Sequence, residues 1–275
     1  MTVAGVPVRE ALDSAVVALS AAGVDTPRLD AEILLAHALG VDRAALVIDR
    51  ERPVEGPAVR AFQDAVRRRA VAREPVAYIV GTKGFRRLDL QVDARVLIPR
   101  PETELLVEAA LGLPAGARVV DVGTGSGAVA LALKDERPDL DVLATDSSPQ
   151  ALAVARANAT RLGLDVAFHE ADLLDGIGPV DAVLSNPPYV EDGAALAPEI
   201  SRHEPRGALF AGPDGRGVID RLIAAAAASP ARLLALEVGA GQAPDVAAGV
   251  RAAGFGMVDV LRDLAGIERV VSGRR

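Results

Sequence analysis

The stretch Arg118-Val119-Val120-Asp121-Val122-Gly123-Thr124-Gly125-Ser126-Gly127, running on through Ala128 to Lys134, decides the fold. Five residues that read as a buried strand pass directly into a glycine-rich loop and then into a helix-forming segment. In doubly wound α/β sheets, ligands bind beyond the carboxyl ends of the strands, and glycines there let backbone approach a ligand without a Cβ clash. The loop Gly123, Thr124, Gly125, Ser126 and Gly127 is therefore a candidate cofactor site. The next strand ends in Ala144-Thr145-Asp146, about 20 residues beyond the glycines, where such folds grip the two hydroxyls of a ribose.

Spacing separates this loop from its relatives. A nicotinamide fingerprint is Gly-x-Gly-x-x-Gly and seats a pyrophosphate at a helix N-terminus. Here the order is Gly-x-Gly-x-Gly, preceded by Asp121. A carboxylate at that position repels phosphate but suits a donor carrying ammonium and sulfonium charges, which points to S-adenosylmethionine. Asp172 and Leu173, after the third strand, are candidates for its adenine: Asp172 for the exocyclic amine, Leu173 for the ring face. Asp172 capping the following turn is the alternative.

Working outward, short apolar strands at Arg118–Val122, Val142–Thr145, Val166–His169, Ala182–Ser185, Leu233–Val238, Phe255–Leu261 and Glu268–Val271 alternate with helix-length segments. This order predicts an α/β fold, a mostly parallel sheet with helices on both faces, closed at one edge by an antiparallel final pair. Upstream, from Val8 to about Arg73, apolar residues recur at helical spacing, as in Ala11, Ala15, Leu19 and Leu29, Ile33, Leu34, Ala38. Gly23 and Gly40 fall at expected helix ends, and one helix is expected over Ala58 to Arg73. Between Pro75 and Pro99 the pattern becomes extended, with Leu88, Leu90 and Val92 alternating against polar neighbours. The expected organisation is a helical domain over 1–74, a β-hairpin linker over 75–98 and a doubly wound domain over 99–275.

Strand Asp181–Ser185 delivers Asn186-Pro187-Pro188-Tyr189 to the same edge as the glycine loop. An amide or aromatic amine delocalises its nitrogen lone pair and is a poor nucleophile until its two N–H bonds are held by acceptors. The Asn186 side-chain oxygen is one such acceptor. The Pro187 carbonyl is the other, since neither Pro187 nor Pro188 has an N–H to offer a partner strand. Tyr189 supplies a flat face for a planar group. Asn186, Pro187 and Tyr189 are the catalytic candidates, Asn186 borders the cofactor as well, and with Pro188 the four form the substrate site. The tetrapeptide selects a planar NH2 without saying whose; adenine and glutamine both qualify. No proton acceptor is identifiable.

Composition narrows the field. There is no Cys, which excludes disulfides, thiolate metal sites and a cysteine nucleophile, and the three scattered His residues, His37, His169 and His203, give no metal site. No apolar run approaches the about 18 residues of a membrane span, so a soluble cytoplasmic protein without membrane partners is expected. The net charge is −8, with 14 basic against 13 acidic residues through Leu97 and 16 against 25 thereafter. An acidic second part argues against an enzyme gripping nucleic-acid phosphates, so no direct nucleic-acid binding is expected and a nucleic-acid N6-adenine methyltransferase is the weaker alternative. A nicotinamide oxidoreductase and a non-catalytic cofactor-binding protein are weaker still. Arg67, Arg68, Arg69 and Arg73 form the densest basic cluster, read as a solvated helix face or a docking patch.

These residues resemble the bacterial release-factor glutamine methyltransferases, protein-glutamine N5-methyltransferases that modify the glutamine of a Gly-Gly-Gln motif. The resemblance runs through Pro75 to Gly81, Leu97-Ile98-Pro99-Arg100-Pro101-Glu102-Thr103-Glu104, Asp121 to Gly127, Ser185 to Val190, His203-Glu204-Pro205 and Asp263 to Arg269. It implies a seven-stranded methyltransferase sheet and a helical N-terminal domain that docks the release factor; a monomer is expected. It also implies Gly123, Thr124, Gly125 and Gly127 along the methionine part of the donor, Asp146 on the ribose, Asp172 and Leu173 on the adenine, and Asn186, Pro187 and Tyr189 on the glutamine. Where the family often has a second aromatic after Gly84-Phe85, this chain has Arg86, so an aromatic clamp there is in doubt. Thr103 or Glu102 is expected to cap the next helix, Arg100 and Glu102 are placed near the active site, and His203-Glu204-Pro205 is given a loop-shaping role.

Overall fold

The computed structural model describes residues 5–275, so the first four residues of the expected helical domain lie outside the described residues. Two compact units result: the chain up to Gly81 together with Ala197–His203, and Thr82–Leu196 together with Glu204–Arg275.

The first unit contains helices Val8–Ala21, Pro27–Leu39, Arg43–Ile48, Pro57–Arg67 and Val76–Val80, plus the returning helix Pro198–His203. Val8, Leu12, Ala15 and Leu19, spaced on one helical stripe, pack with Ala31, Leu34, Leu35 and Phe62 in its core. A two-residue antiparallel pairing of β1 (Val6–Pro7) with β2 (Pro53–Val54) adds to the expected helices. Two expectations change. Val76–Val80 is helical rather than extended: Pro75 precedes it, Gly81 ends it at φ 78°, and burial of Ile79 in the helical core overrides the β-branched composition. The helix expected over Ala58 to Arg73 stops at Arg67 and continues as a wider, π-type turn over Arg68–Ala72.

That turn rotates Arg69 inward. Its Nε donates to Asp30 at 2.7 Å and its Nη1 to Glu199 at 2.9 Å, and Arg73 donates to the same Glu199 oxygen at 3.0 Å and to the Gly23 carbonyl at 2.9 Å. Arg68 pairs with Glu74 and Arg67 with Asp64. The basic cluster is thus neither a uniformly solvated face nor a free docking patch, because Arg69 and Arg73 are spent on carboxylates inside the unit.

In the second unit the hairpin β3 (Thr82–Phe85) and β4 (Leu88–Gln91) contributes Phe85, Leu88 and Leu90 to a core shared with the large sheet. The wholly buried Asn158 fastens it, accepting from Gln91 N at 2.8 Å and donating to the Gln91 and Ser126 carbonyls at 3.0 Å. Arg86, at φ 49°, is no part of an aromatic clamp; it pairs with Glu136 and Glu108 on the helices beneath.

The sheet comprises β5 (Arg118–Val122), β6 (Asp141–Asp146), β7 (Ala167–Glu170), β8 (Ala182–Ser185), β9 (Leu233–Glu237), β10 (Met257–Arg262) and β11 (Glu268–Arg274), in the order β10-β11-β9-β8-β5-β6-β7. β11 runs antiparallel to both β10 and β9, and the other neighbours pair in parallel. Alternation assigns the faces: Val119, Ala144 and Leu184 face one core, and Val120, Val122 and Leu143 the other. The chain winds from β5 out to β7, then returns to β8 on the other side of β5. The carboxyl ends of β5 and β8 therefore flank the topological switch point, where such sheets bind ligands.

Candidate active site

A cleft of about 440 Å³ opens at that switch point, lined among others by Gly123, Gly125, Asp146, Asp172, Leu173, Asn186, Pro187 and Pro188. Residues predicted from four separate strand ends therefore converge. The loop after β5 is held by two bonds at 2.9 Å, from Gly123 N and Thr124 N to the Thr145 carbonyl. Gly125, at φ 56°, points its N–H at Asp146 Oδ2, 2.9 Å away, and an added Cβ there would meet nothing within 4 Å, so backbone itself forms the cleft wall. Gly127, at φ 86°, has no such room: a Cβ would come within 2.9 Å of Leu131.

Asp121, Thr124, Ser126 and Gly127 do not line the cleft; they build its floor. Asp121 is 2% exposed, and its Oδ2 accepts both the Thr124 hydroxyl at 2.6 Å and the Ala130 N–H at 3.2 Å. Burial pushes its pKa up to about 6, against these two bonds and with help from the charge of Asp146. Asp146 receives one N–H on each oxygen, from Gly125 and from Ser148, both at 2.9 Å, and burial also raises its pKa. Each carboxylate oxygen has a second lone-pair direction, so Asp146 can still accept from a bound hydroxyl.

Asp172 is exposed and pairs with Arg221 at 2.5 Å. Leu173 sits at φ 55°, a left-handed conformation that costs a non-glycine residue about 1 kcal/mol or more. Thr145 helps to hold it there by donating its hydroxyl to the Leu173 carbonyl at 3.0 Å. Its side chain both lines the cleft and packs against the second core.

Asn186 follows β8, whose last residue, Ser185, is fixed by a 2.7 Å bond to the Val122 carbonyl. Its Nδ2 donates to Thr103 Oγ1 at 3.2 Å. With the nitrogen so engaged, Oδ1 is the end of the amide left for a ligand. Among the described residues the Pro187 carbonyl accepts no hydrogen bond, consistent with the two prolines removing local donors. Tyr189 lies outside the cleft lining: its ring packs with the second core, its hydroxyl donates to Glu237 Oε1 at 3.3 Å, and its carbonyl accepts from Gln242 at 3.1 Å. Burial and the neighbouring Glu237 raise its pKa.

Thr103 and Glu237 were not foreseen in these positions. Thr103 makes no side-chain cap to its helix, and its hydroxyl serves Asn186 instead. Glu237 ends β9 fully buried, with a pKa pushed up to about 7 by burial, opposed first by the Thr103 hydroxyl and reinforced by the charge of Glu102. A carboxylate closing the apolar run Leu233-Leu234-Ala235-Leu236, at the same sheet edge as Asp121 and Asp146, was a readable signal. Glu204, also buried, accepts from Ile98 N at 3.1 Å and pairs with Arg100, which fixes the segment before Thr103. Among the described residues no His, Asp or Glu cluster is arranged to hold a metal, and no helix is long and apolar enough to cross a membrane.

Comparison with known proteins finds relatives over most of the chain. A family model described as the PrmC N-terminal domain matches residues 10–81, and one described as the methyltransferase small domain matches residues 101–203. A release factor glutamine methyltransferase from Deinococcus radiodurans is 44% identical over 275 residues, covering 97% of this chain and 98% of its own length. One from Mycolicibacterium smegmatis is 48% identical over 225 residues, covering 80% of this chain and 79% of its own. Among solved structures, a methyltransferase from Pyrococcus furiosus aligns with a TM-score of 0.53 at 18% identity, over 68% of this chain and 88% of that one, a likeness of fold alone.

Proposed function

The chain belongs to the release factor glutamine methyltransferase family, and we propose that it moves a methyl group from S-adenosylmethionine to the side-chain amide nitrogen of the glutamine in the Gly-Gly-Gln motif of peptide-chain release factors. The observation that carries the reading is the orientation of Asn186: its nitrogen is taken by Thr103, so an oxygen is presented to whatever planar NH2 enters the cleft.

The residues present fit the methyl donor. Open backbone at Gly123 and Gly125 accommodates close approach, Asp146 keeps acceptor capacity for ribose hydroxyls, and Leu173 with Asp172 suits an adenine face and its amine. Asp121 sits one layer beneath, where its charge acts through space on a cationic ligand. The donor would supply a methyl group on a positively charged sulfur: the S–CH3 bond would break as N–CH3 forms, the donor would leave as a neutral thioether, and one amide N–H proton would pass to solvent. Asn186 Oδ1 and the Pro187 carbonyl accept the two N–H bonds of the glutamine amide, turning its nitrogen lone pair out of conjugation and towards that methyl. Those hydrogen bonds strengthen as positive charge develops on nitrogen, so they stabilise the transition state more than the ground state. Tyr189, anchored through Glu237, stiffens the end of the loop. The remaining work is positioning. Docking of the release factor is assigned to the helical first unit.

The test is transfer of a labelled methyl to a purified release factor, with mass mapping of the modified residue. Label on the glutamine of Gly-Gly-Gln is the expected result; label on duplex DNA and none on the release factor would overturn it.

A further inference from the structure

The loop that meets the methyl donor is rich in glycine so that its backbone can bend, and the same freedom leaves its peptide planes undetermined. Gly125 and Gly127 sit at φ 56° and 86°, and a glycine beside a peptide bond lets that plane turn over at little steric cost. Contacts must therefore select one orientation. For the peptide joining Ser126 to Gly127, both ends are held. The Gly127 N–H donates to the Thr124 carbonyl at 2.8 Å, and the Ser126 carbonyl accepts from Asn158 Nδ2 at 3.0 Å. The first bond is internal to the loop and moves with it. The second arrives from 32 residues away, on the helix Pro149–Leu162.

Asn158 is wholly buried and does not line the cleft. Its amide is anchored on the far side by a single residue at the end of β4: Oδ1 accepts the Gln91 N–H at 2.8 Å, and Nδ2 donates to the Gln91 carbonyl at 3.0 Å. Both donor positions of the amide are thereby used, one on Gln91 and one on Ser126. Gln91 is itself paired with Thr82 in the β3–β4 hairpin. Three buried hydrogen bonds thus connect the hairpin, through one side chain, to the carbonyl that sets the plane of the loop.

We propose that Asn158 is a positioning residue for the methyl donor: it selects the orientation of the Ser126–Gly127 peptide and so holds the Gly123–Gly127 loop in its donor-accepting shape, with the β3–β4 hairpin as its support. The inference rests on the reading of this loop as the donor site and deepens it by naming what fixes the loop from outside the cleft. Asn158→Asp breaks the link at one atom. The carboxylate still accepts from Gln91 N–H, but an oxygen in place of Nδ2 removes both donations and faces two carbonyls. Arg161 Nη2, 3.5 Å from Oδ1, can pair with the new charge, which favours a folded variant.

The experiment is calorimetric titration of S-adenosylmethionine into parent and Asn158→Asp, with steady-state methyl transfer to a release factor alongside. Expected is a donor Kd about tenfold to a hundredfold weaker at parental stoichiometry, because a buried carbonyl loses its donor, and a rise in donor KM with kcat at saturating donor within about threefold. A residue needed only for folding would instead lower the stoichiometry and leave the Kd of the folded fraction unchanged, and that result would overturn the proposal. Parental Kd at parental stoichiometry would overturn it as well. Should the variant fail to fold, the parent decides alone, because what Asn158 does for the donor the donor must do for Asn158: the Asn158 side-chain amide resonances, assigned in ¹⁵N-labelled protein through their contacts with Gln91, should shift on saturation with the donor, and unmoved resonances would overturn the proposal. A parent that binds no S-adenosylmethionine would bring down the donor reading and this inference together, whereas a parent and a variant that bind it equally would bring down the inference alone.

Discussion

Asp121→Asn isolates one charge while keeping its bonds. Both hydrogen bonds to Asp121, from Thr124 and Ala130, arrive on the same oxygen, Oδ2, so an asparagine oxygen can accept both and its NH2 takes the place of Oδ1. What changes is ionisation. Burial raises the pKa from 3.8 to about 6, so between those values the native protein holds a proton that the unfolded chain has released. Stability therefore falls as pH rises through this window, and above it the charge costs roughly 3 kcal/mol, about two pKa units at 1.36 kcal/mol each. The asparagine variant should lose that slope between pH 4 and 6 and be the more stable protein at pH 8. Donor affinity should move the other way. A unit cation within about 7 Å of a carboxylate gains roughly 2 kcal/mol at an effective dielectric of about 20, so S-adenosylmethionine should bind at least about tenfold more weakly. In the parent, binding the cation at pH 6 should expel part of a proton from Asp121, and calorimetry in buffers of different ionisation enthalpy reads this directly. Denaturation at pH 5 and pH 8 with donor titrations at both supplies the remaining numbers. A variant with parental affinity and parental pH dependence would show that the Asp121 charge neither strains the fold nor attracts the donor.

Three further outcomes follow from the same structure. Asn186→Ala should reduce turnover by about a hundredfold or more while calorimetric donor affinity stays within about threefold; equal losses in both would move Asn186 into the donor pocket. Asp146→Ala should do the reverse, because it removes the group that receives Gly125 N–H and offers lone pairs to the ribose, and an unaltered dissociation constant would refute the ribose assignment. Arg69→Ala leaves Asp30 and Glu199 short of a buried cation and should destabilise the first unit by about 3–5 kcal/mol. Hydrogen exchange over residues 10–81 reports this, and unchanged protection would show that water or Arg73 compensates.

The large sheet was legible because its signals are local. A buried strand, a glycine loop and a helix start follow one another without interruption at Arg118–Lys134, and glycine adopts the positive φ angles of Gly123, Gly125 and Gly127 at least cost. Val76–Val80 failed for the opposite reason: its β-branched residues favour a strand locally, and only the distant core that buries Ile79 selects a helix. The arginine cluster was misjudged because helical periodicity assigns faces on a regular helix, whereas the π-type turn at Arg68–Ala72 swings Arg69 to the inside. Partners such as Asp30 and Glu199 lie 39 and 130 residues away along the chain, beyond any local pattern.

The candidate site divides along the same line. Residues whose backbone does the work, the glycines and Pro187, announce themselves by type, since few others could occupy those positions. Residues acting through single side-chain hydrogen bonds do not: Thr103 meets Asn186, and Glu237 meets Tyr189, only when β8, β9 and the 3₁₀ turn Pro101–Thr103 are brought together. One regularity connects both classes. Asp121, Asp146 and Glu237 stand at the carboxyl ends of β5, β6 and β9, and burial raises the pKa of all three. Parallel strands put their acidic ends at one sheet edge, and the charge of Asp146 adds to the cost of ionising Asp121. That cost remains in the free protein and is relieved when a cation enters. For the proposed positively charged donor, the carboxylates at the cleft are a source of attraction. Asn186, by contrast, is uncharged and is held by the Thr103 hydroxyl, so the carboxylates that would favour the donor and the hydrogen bond that orients the acceptor site can be removed one at a time.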